Sequence, residues 1–354
     1  MKQDNLIIIK LGSSLLVDNK GIKSDVLKQT LSFVARMKLN GVSVIVVSSG
    51  AAALGQLSFL GQDISRPLLS VYGQSELFEA YRQIGITEGV TTAGVLLTQM
   101  QIASKNTLNI LQDRITLMIK NNIVPIVNEN DLLSMATPQG FGDNDTLASI
   151  LAVSFDVHKL FIFTSVGGVY SSDPAKKPDA EMISEIDNVS KKYLDLCTDG
   201  TSEGGTGGML SKIKASRICT AAGIPVMILG IDQLKIMDNL EQKLVGTLIK
   251  PREIQEPIRS HDRWILVARG SSGLIMVDRG AEDALKQSKS LLAVGVKQLY
   301  GYFNKKEVIE IVNEDKESVG FGITKISSQD LESRMRQNDL HRVQIAHTDD
   351  IFVL

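Results

Sequence analysis

The sequence has few of the residues that build disulfide frameworks and metal sites. It contains two cysteines, Cys197 and Cys219, which form no Cys-x-x-Cys motif. Four histidines lack the spacing of metal ligands: His158, His261, His341 and His347. A disulfide scaffold and a zinc site of regular spacing are therefore excluded. We expect a cytoplasmic protein, in a reducing compartment, without a structural metal.

Long apolar runs and a strong charge bias are also missing. No run approaches the roughly 18 apolar residues that cross a bilayer, and Lys10 interrupts the apolar run near the N-terminus. We therefore expect neither a membrane span nor a signal peptide. The formal net charge of −2 gives no indication of a polyanionic partner. Apolar content of 43% and charged content of 22% are ordinary for a globular protein, and 354 residues predict two domains or more.

Two familiar nucleotide-binding motifs are absent. Gly50 and Gly55 have the spacing of the Gly-x4-Gly-Lys-Ser/Thr loop, but Gln56 follows them instead of lysine. A Gly-x-Gly begins at Gly205, yet Leu210 stands where the dinucleotide fingerprint needs its third glycine. If the protein binds ATP, it does so through another architecture.

Short β-branched runs alternate with segments of helical periodicity. Strands are predicted over residues 6–11, 44–47, 123–127, 160–163 and 225–229. Helices are predicted between them, including a long helical region over residues 97–121. This β-α-β-α order predicts an α/β fold with a mainly parallel open sheet and helices on both faces.

Polar clusters follow the predicted strands. Lys10 emerges from the first strand, Gly12 lets backbone amides approach a ligand, and Ser13 adds a hydroxyl, which together favour phosphate. The carboxyl ends of parallel strands share one edge of a sheet, where ligands bind. Simpler interpretations exist for other clusters, since Ser49 or Asn144 can cap a helix and Asp131 can shape a turn.

Five motifs, in this order, resemble those of the amino acid kinase family over nearly the whole chain. More narrowly, they are similar to the branch that phosphorylates L-glutamate at the start of proline biosynthesis. The motifs are Lys10-Leu-Gly-Ser-Ser, Ser48-Ser-Gly-Ala, Asn128-Glu-Asn-Asp131, Phe141-Gly-Asp-Asn-Asp145 and Gly205-Thr-Gly-Gly-Met-Leu-Ser-Lys212. The resemblance implies the amino acid kinase fold over residues 1–250.

The C-terminal part resembles a PUA domain, a small mostly-β fold. The resemblance implies a linker over residues 251–262 and a PUA-like domain over residues 263–354. PUA domains elsewhere bind RNA, but residues 262–354 hold 13 Lys plus Arg against 14 Asp plus Glu, a net charge of −1. A nucleic-acid face would be clearly basic, so RNA is not the expected partner.

The resemblance implies ATP as phosphoryl donor and L-glutamate as acceptor, giving L-glutamyl 5-phosphate and ADP. A glutamate side chain, with a pKa near ~4.3, is already deprotonated at neutral pH, so no general base is needed. The transition state instead needs positive charge. Lys10 and Lys212 are expected to supply it, with Asp145 holding both ammonium groups or capping the helix at Thr146. Mg²⁺ is expected on the β- and γ-phosphates without a protein ligand.

The resemblance also implies two binding sets. For the α-end of glutamate, acceptors for the ammonium come from Asn128, Asp131 and Asp143, and donors for the carboxylate come from Asn144 and the Ser49-Gly50 helix start. The ATP set comprises Lys10, Gly12, Ser13, Thr164, Ser165, Thr206, Gly207, Gly208, Met209, Leu210, Ser211 and Lys212. L-proline is expected as an inhibitor, a homo-oligomer as the assembly, and glutamyl phosphate reductase as a pathway partner.

Three departures from the family pattern affect this site. Ser165 replaces an aspartate, Tyr72 replaces a small residue, and residues 132–141 differ in length and lack an acidic residue. Two alternatives stay open: a kinase for another small acid, such as aspartate or acetylglutamate, and a PUA-based RNA-binding regulator with a decayed kinase domain. The PUA-like tail argues against the first, and the retained Lys10, Asp145 and Lys212 argue against the second.

Overall fold

The structure is a computed structural model that describes residues 3–134, 143–177, 179–187, 189, 193, 208–253, 257–268 and 273–354. Packing divides the chain into two compact units. The first comprises Met1–Thr98 and Asn109–Gln255, and the second comprises Gln99–Leu108 and Glu256–Leu354. Among the described residues, no helix has the length and apolar character of a membrane span.

An eight-stranded sheet forms the centre of the first unit, in the order β10-β12-β11-β7-β1-β4-β6-β5. The six strands from β11 to β5 run parallel, whereas β12 pairs antiparallel with β11 and parallel with β10. Two short hairpins, β2-β3 and β8-β9, lie outside it. The strands are β1 Gln3–Leu11, β2 Val17–Asp18, β3 Gly21–Ile22, β4 Ser43–Ser48, β5 Thr91–Leu97, β6 Ile123–Glu129, β7 Val157–Thr164, β8 Val169–Tyr170, β9 Met182–Ile183, β10 Glu185–Ile186, β11 Val226–Gly230 and β12 Gly246–Ile249.

Helices cover both faces of this sheet. The helices of the first unit are α1 Ser13–Leu16, α2 Ser24–Leu39, α3 Ala51–Ser58, α4 Arg66–Thr87, most of α6 Lys105–Lys120, α7 Asp131–Ser134, α8 Asn144–Phe155, α9 Met209–Ala221 and α10 Gln233–Ile236. Helix α5 Gln99–Ala103 and the first residues of α6 belong to the second unit. Ile7 and Ile9 of β1 belong to the core cluster that includes α2 and α4. Ile8 is fully buried outside that cluster, because successive side chains of a strand point to opposite faces. On that other face, α8 packs against β1 and β7.

The fold class predicted from the sequence is confirmed for the first unit: the sheet is mainly parallel and flanked by helices. The apolar run of β1 is buried on both faces between β4 and β7, as expected of a central parallel strand. Lys10 pairs in register with Val47 on one side and Ile162 on the other. Its backbone is therefore held from both sides at the point where the strand ends.

The long helical region predicted over residues 97–121 is only partly right. Thr91–Leu97 forms β5, at the edge of the sheet. Helical structure follows in two pieces that are separated at Ser104. An edge strand is half exposed, and Gly94 interrupts its apolar pattern, so neither a buried run nor a clean alternation was available to indicate it.

The second unit is small and mostly β, as predicted. Its five-stranded sheet has the order β15-β13-β16-β17-β19, with β13 and β16 parallel and the other pairs antiparallel, and β14 pairs separately with β18. Ile275, Ile311 and Ile345 lie in its own apolar core. Its later elements are α11 Ser260–Val267, β13 Gly273–Val277, α12 Arg279–Lys286, β14 Leu291–Leu292, β15 Val296–Gly301, β16 Val308–Val312, β17 Ser318–Ile323, α13 Ser328–Gln337, β18 Gln344–Ala346 and β19 Ile351–Val353, with 3-10 turns Ala293–Gly295 and Thr348–Asp350.

Candidate active site

Two lysines share one buried carboxylate at the carboxyl edge of the sheet. Nζ of Lys10 lies 2.6 Å from Oδ1 of Asp145, and Nζ of Lys212 lies 3.2 Å from Oδ2. Asp145 is 0% exposed, Lys10 5% and Lys212 7%. The structure thus brings together the three residues that the sequence placed in the catalytic group, although they come from distant parts of the chain.

Two of these side chains, Asp145 and Lys212, are positioned by the first turns of helices α8 and α9. Asp143 caps α8, since its Oδ1 accepts the backbone amide of Thr146 at 2.7 Å. Because Asp143 takes the capping role, the carboxylate of Asp145 is left to face the lysines. Lys212 stands in the first turn of α9, which begins after Gly208.

The pKa values of this cluster reflect its burial and its excess positive charge. Burial alone would raise the pKa of Asp145, but the charges of Lys10 and Lys212 outweigh it and hold that pKa below its ordinary value. Burial also lowers the pKa of Lys212, and Lys10 acts in the same direction, against the opposing charge of Asp145. The cluster therefore carries a net positive charge in a site that water hardly reaches.

Ser211 links the start of α9 to the same carboxylate. Its hydroxyl donates to Oδ2 of Asp145 at 2.9 Å and also approaches the carbonyl oxygen of Gly208 at 3.1 Å. Nζ of Lys212 lies 3.5 Å from that carbonyl oxygen. Both oxygens of Asp145 are thus engaged by cations or a hydroxyl. The carboxylate is well placed to position the lysines and poorly placed to accept a proton.

A second polar cluster lies where β4 and β6 end. The side-chain nitrogen of Asn144 donates to the carbonyl oxygen of Ser48 at 3.2 Å, to Oγ of Ser49 at 3.1 Å and to Oδ1 of Asn128 at 2.8 Å. Asn144 was expected to donate to a substrate carboxylate, but the structure commits its nitrogen to these protein oxygens. Its oxygen has no hydrogen-bond partner among the described residues.

The remaining residues of the glutamate set are near these strand ends. Asp131 begins α7, and one of its oxygens accepts the hydroxyl of Ser70. Gly50 precedes α3 with φ of 108°, a left-handed conformation that favours glycine. A Cβ on Gly50 would also lie 3.0 Å from Cγ2 of Val17. This glycine is required by the turn that presents Ser49.

Helix α4 supplies three polar side chains that sequence reasoning missed. Ser70 contacts Asp131, Gln74 accepts from Nδ2 of Asn128 at 2.6 Å, and Tyr81 donates to Oγ of Ser48 at 3.0 Å. Burial raises the pKa of the Tyr81 phenol, which keeps it a donor. The available signal was their position: together with Leu77 they form the buried stripe of α4, and polar residues on such a stripe need partners.

The expected ATP residues at the end of β7 lie near two neighbouring glycines. Thr164 ends β7 and is 8% exposed, while Ser165 is exposed. Gly167, with φ of 85°, neighbours Gly230 at the end of β11, and a Cβ on Gly230 would make an ordinary contact of 3.5 Å with Cα of Gly167. Gly12 lies near Nζ of Lys10, 3.9 Å from the position of a Cβ at residue 12. Thr206 and Gly207 lie outside the described residues.

Known families match both parts of the chain. The model described as the amino acid kinase family matches residues 5–230, and that of the PUA domain matches residues 273–343. The first match covers more than half of the 354 residues. The chain belongs to the amino acid kinase family. The matched region contains β1, α8 and α9, which carry the two lysines and their shared aspartate.

Curated relatives match this kinase along nearly its whole length. A glutamate 5-kinase of Aliivibrio salmonicida is 33% identical over 99% of this chain and 94% of the relative. One of Dehalococcoides mccartyi is 31% identical over 98% and 92%. One of Bacillus mycoides is 33% identical over 97% of each. The matches therefore extend across both the kinase region and the PUA region.

Proposed function

We propose that this protein transfers the γ-phosphoryl group of ATP to the side-chain carboxylate of L-glutamate, giving L-glutamyl 5-phosphate and ADP. This is the first step of proline biosynthesis. Relatives at 31–33% identity over nearly the full length of both chains are named glutamate 5-kinase, which supports the substrate. The PUA domain supports the same reading over a kinase for another small acid.

The observation that carries the proposal is the pair of buried ammonium groups on Asp145. Phosphoryl transfer between two anions passes through a loose transition state, and preorganised positive charge stabilises it. Lys10 and Lys212 supply that charge, and Asp145 keeps them together against their mutual repulsion. The acceptor carboxylate needs no base, because it is ionised at neutral pH. The engaged oxygens of Asp145 are consistent with such a mechanism.

The neighbouring residues take roles set by their chemistry. Gly12 and Ser13, after β1, and Gly208 to Ser211, at the start of α9, would line the ATP phosphates beside the two lysines. Thr164 and Ser165 would line the nucleotide side of the site. Glutamate would lie with its side-chain carboxylate towards the lysines and its α-end towards the second cluster and the neighbouring Asp131.

Magnesium is the metal that ATP chemistry implies, and the described side chains offer it little. Among the described residues, no group of three or more His, Cys, Asp or Glu side chains could hold a metal ion. Asp145 is paired through both oxygens, and Asp143 caps α8. Mg²⁺ would therefore come with ATP, held by phosphate oxygens and water. No step of this mechanism is assigned to it.

Several finer expectations belong to the same proposal. L-proline carries the same α-carboxylate and amine nitrogen as glutamate, so it would compete at the second cluster as an inhibitor. The protein would act in the cytoplasm as a homo-oligomer, with glutamyl phosphate reductase consuming its unstable product. The mechanism needs no RNA, and the net charge of −1 over residues 262–354 gives no support for one.

An acid-dependence assay tests the proposal. Purified full-length protein with Mg²⁺-ATP is given glutamate, aspartate, acetylglutamate or carbamate, with and without proline, while ADP is measured. Hydroxylamine in parallel reactions converts an acyl phosphate into a hydroxamate and so reports the bond that forms. Of the four acids, we expect only glutamate to give ADP and hydroxamate. ADP release that is independent of glutamate, or preference for another acid, would overturn the proposal.

A further inference from the structure

A line of three amide side chains crosses the second cluster from α4 to α8. Nδ2 of Asn128 donates to Oε1 of Gln74 at 2.6 Å, and Oδ1 of Asn128 accepts from Nδ2 of Asn144 at 2.8 Å. Gln74 is 6% exposed and Asn128 3%. The line connects α4, from which the sequence assigned no substrate contact, with two residues of the expected glutamate set.

The backbone fixes the direction of this amide line. The amide of Glu129 donates to Oδ1 of Asn128 at 2.9 Å, and a backbone N–H can only donate. The carbonyl oxygen of Ser48, which can only accept, takes Nδ2 of Asn144 at 3.2 Å. Exchanging the side-chain nitrogen and oxygen of either asparagine would place two donors or two acceptors against each other. Consequently the nitrogen of Asn128 must face Gln74, and the oxygen of Gln74 must receive it.

Each end of the line carries an unused group. Among the described residues, Nε2 of Gln74 and Oδ1 of Asn144 are buried and have no hydrogen-bond partner. A buried donor or acceptor without a partner costs free energy, and a bound ligand is one source of the missing partner. The free donor at Gln74 suits a carboxylate, and the free acceptor at Asn144 suits an ammonium. A free α-amino acid carries both groups on one carbon atom.

We propose that Gln74 is a specificity-determining residue whose side-chain N–H donates to the α-carboxylate of the substrate, while the oxygen of Asn144 accepts its α-ammonium. This inference rests on the proposed function and assigns the α-end of the same substrate. It reverses the expected role of Asn144, from a donor to the carboxylate to an acceptor from the ammonium. The site then selects free α-amino acids and disfavours acids whose amine is acylated, since an acylated nitrogen carries no ammonium.

An exchange of donor and acceptor tests this assignment. Gln74→Glu keeps the oxygen that Asn128 needs and replaces the free donor with an acceptor. The probe is L-glutamic acid α-amide, in which an amide replaces the α-carboxylate and the reacting side-chain carboxylate is unchanged. The wild-type protein should favour glutamate over the α-amide by about 10- to 100-fold in kcat/KM, the scale of one hydrogen bond to a charged group.

In Gln74→Glu the ratio of kcat/KM for glutamate to kcat/KM for the α-amide should fall at least tenfold or invert. The new carboxylate at residue 74 accepts a hydrogen bond from the amide of the probe but repels the α-carboxylate of glutamate. The KM for ATP should stay unchanged. Gln83→Glu is the matched control, since it makes the same substitution on the exposed side of α4, and it should keep the wild-type preference. Gln74→Met removes the donor without adding charge and also removes the acceptor of Asn128. It should lower kcat/KM for glutamate more than kcat/KM for the α-amide.

The outcomes separate this inference from the proposed function. A wild-type protein that phosphorylates glutamate but uses the α-amide equally well would overturn the role of Gln74, whatever the variants do. An unchanged preference in Gln74→Glu or Gln74→Met would also overturn it. A wild-type protein without activity on glutamate would instead overturn the proposed function.

Discussion

The Nζ atom of Lys10 and a carboxylate oxygen of Asp145 lie 2.6 Å apart, and Asp145 is fully buried. Removing one member of a buried ion pair leaves the remaining charge without compensation. In this cluster the loss would be greater, because a second cation, Lys212, depends on the same carboxylate. The pair therefore indicates where the site is most sensitive to a change of one charge.

Asp145→Asn should lower kcat much more than it raises the KM for ATP. Without the negative charge, Lys10 and Lys212 repel each other, and the charge that stabilises the transition state is misplaced. We expect a loss of about 10²–10³ in kcat, the scale of losing one preorganised donor. Steady-state ADP release measures it, with Asp113→Asn on the exposed side of α6 as control. Normal turnover in Asp145→Asn would remove this aspartate from the mechanism.

The lowered pKa of Lys212 predicts an alkaline decline in kcat/KM for ATP. Because the ammonium form is needed to receive ATP, kcat/KM for ATP, which reports the free enzyme, should fall at a pH below the ~10.4 of ordinary lysine. Lys212→Arg keeps its charge at every accessible pH, so its residual kcat/KM should not show this alkaline decline. If the pH profiles of the wild-type protein and Lys212→Arg decline at the same pH, the alkaline decline belongs to another group.

Unfolding measurements distinguish that titration from alkaline denaturation. The folded protein releases the Lys212 proton more readily than the unfolded chain, so the unfolded chain binds more protons between the lowered pKa and ~10.4. In that window the contribution of Lys212 to the free energy of unfolding rises with pH while kcat/KM for ATP falls. Lys212→Arg should lack this rise, which denaturant titrations at several pH values would show.

Gly12→Ala should weaken ATP binding without destabilising the fold. The backbone at residue 12 has φ of −74°, which alanine adopts freely, and its Cβ would meet Nζ of Lys10 at 3.9 Å, an ordinary contact. Under the proposed function, the added methyl group would stand where the phosphates approach the backbone. We expect the KM for ATP to rise about tenfold or more, equivalent to about 1.4 kcal/mol. Tm and the KM for glutamate should be unchanged, and Ser14→Ala serves as control.

Gly73→Ala should destabilise the packing of α3 against α4. A Cβ there would lie 2.0 Å from the carbonyl oxygen of Ala51 and 2.6 Å from the amide nitrogen of Gly55, so the helices would have to separate. Overpacking of this kind costs about 1–3 kcal/mol. Thermal unfolding measures the loss, and Ser75→Ala on the exposed side of the same helix should stay within about 0.5 kcal/mol of wild type.

The sequence indicated the polar residues at the strand ends better than those on helix α4. Lys10, Asn128 and Thr164 follow short buried runs, whose apolar composition is visible without any tertiary contact. Gln74 and Tyr81 became informative only when α4 was seen to place them beside Asn128 of β6 and Ser48 of β4, since these partners are distant in the chain. The roles of Asn128 and Asn144 also depend on two backbone groups, the amide of Glu129 and the carbonyl of Ser48, that composition cannot reveal.

Strand β1 supplies one ammonium group and α9 the other, so the cluster combines the beginning and the end of the kinase region. A chain emerging from the ribosome holds Lys10 early but acquires Lys212 only after more than half of its length has been made. Until then Asp145 has only one of its two lysine partners. Under the proposed function, a nascent or proteolytically shortened chain that stops before α9 would therefore lack one of the two cations that phosphoryl transfer needs.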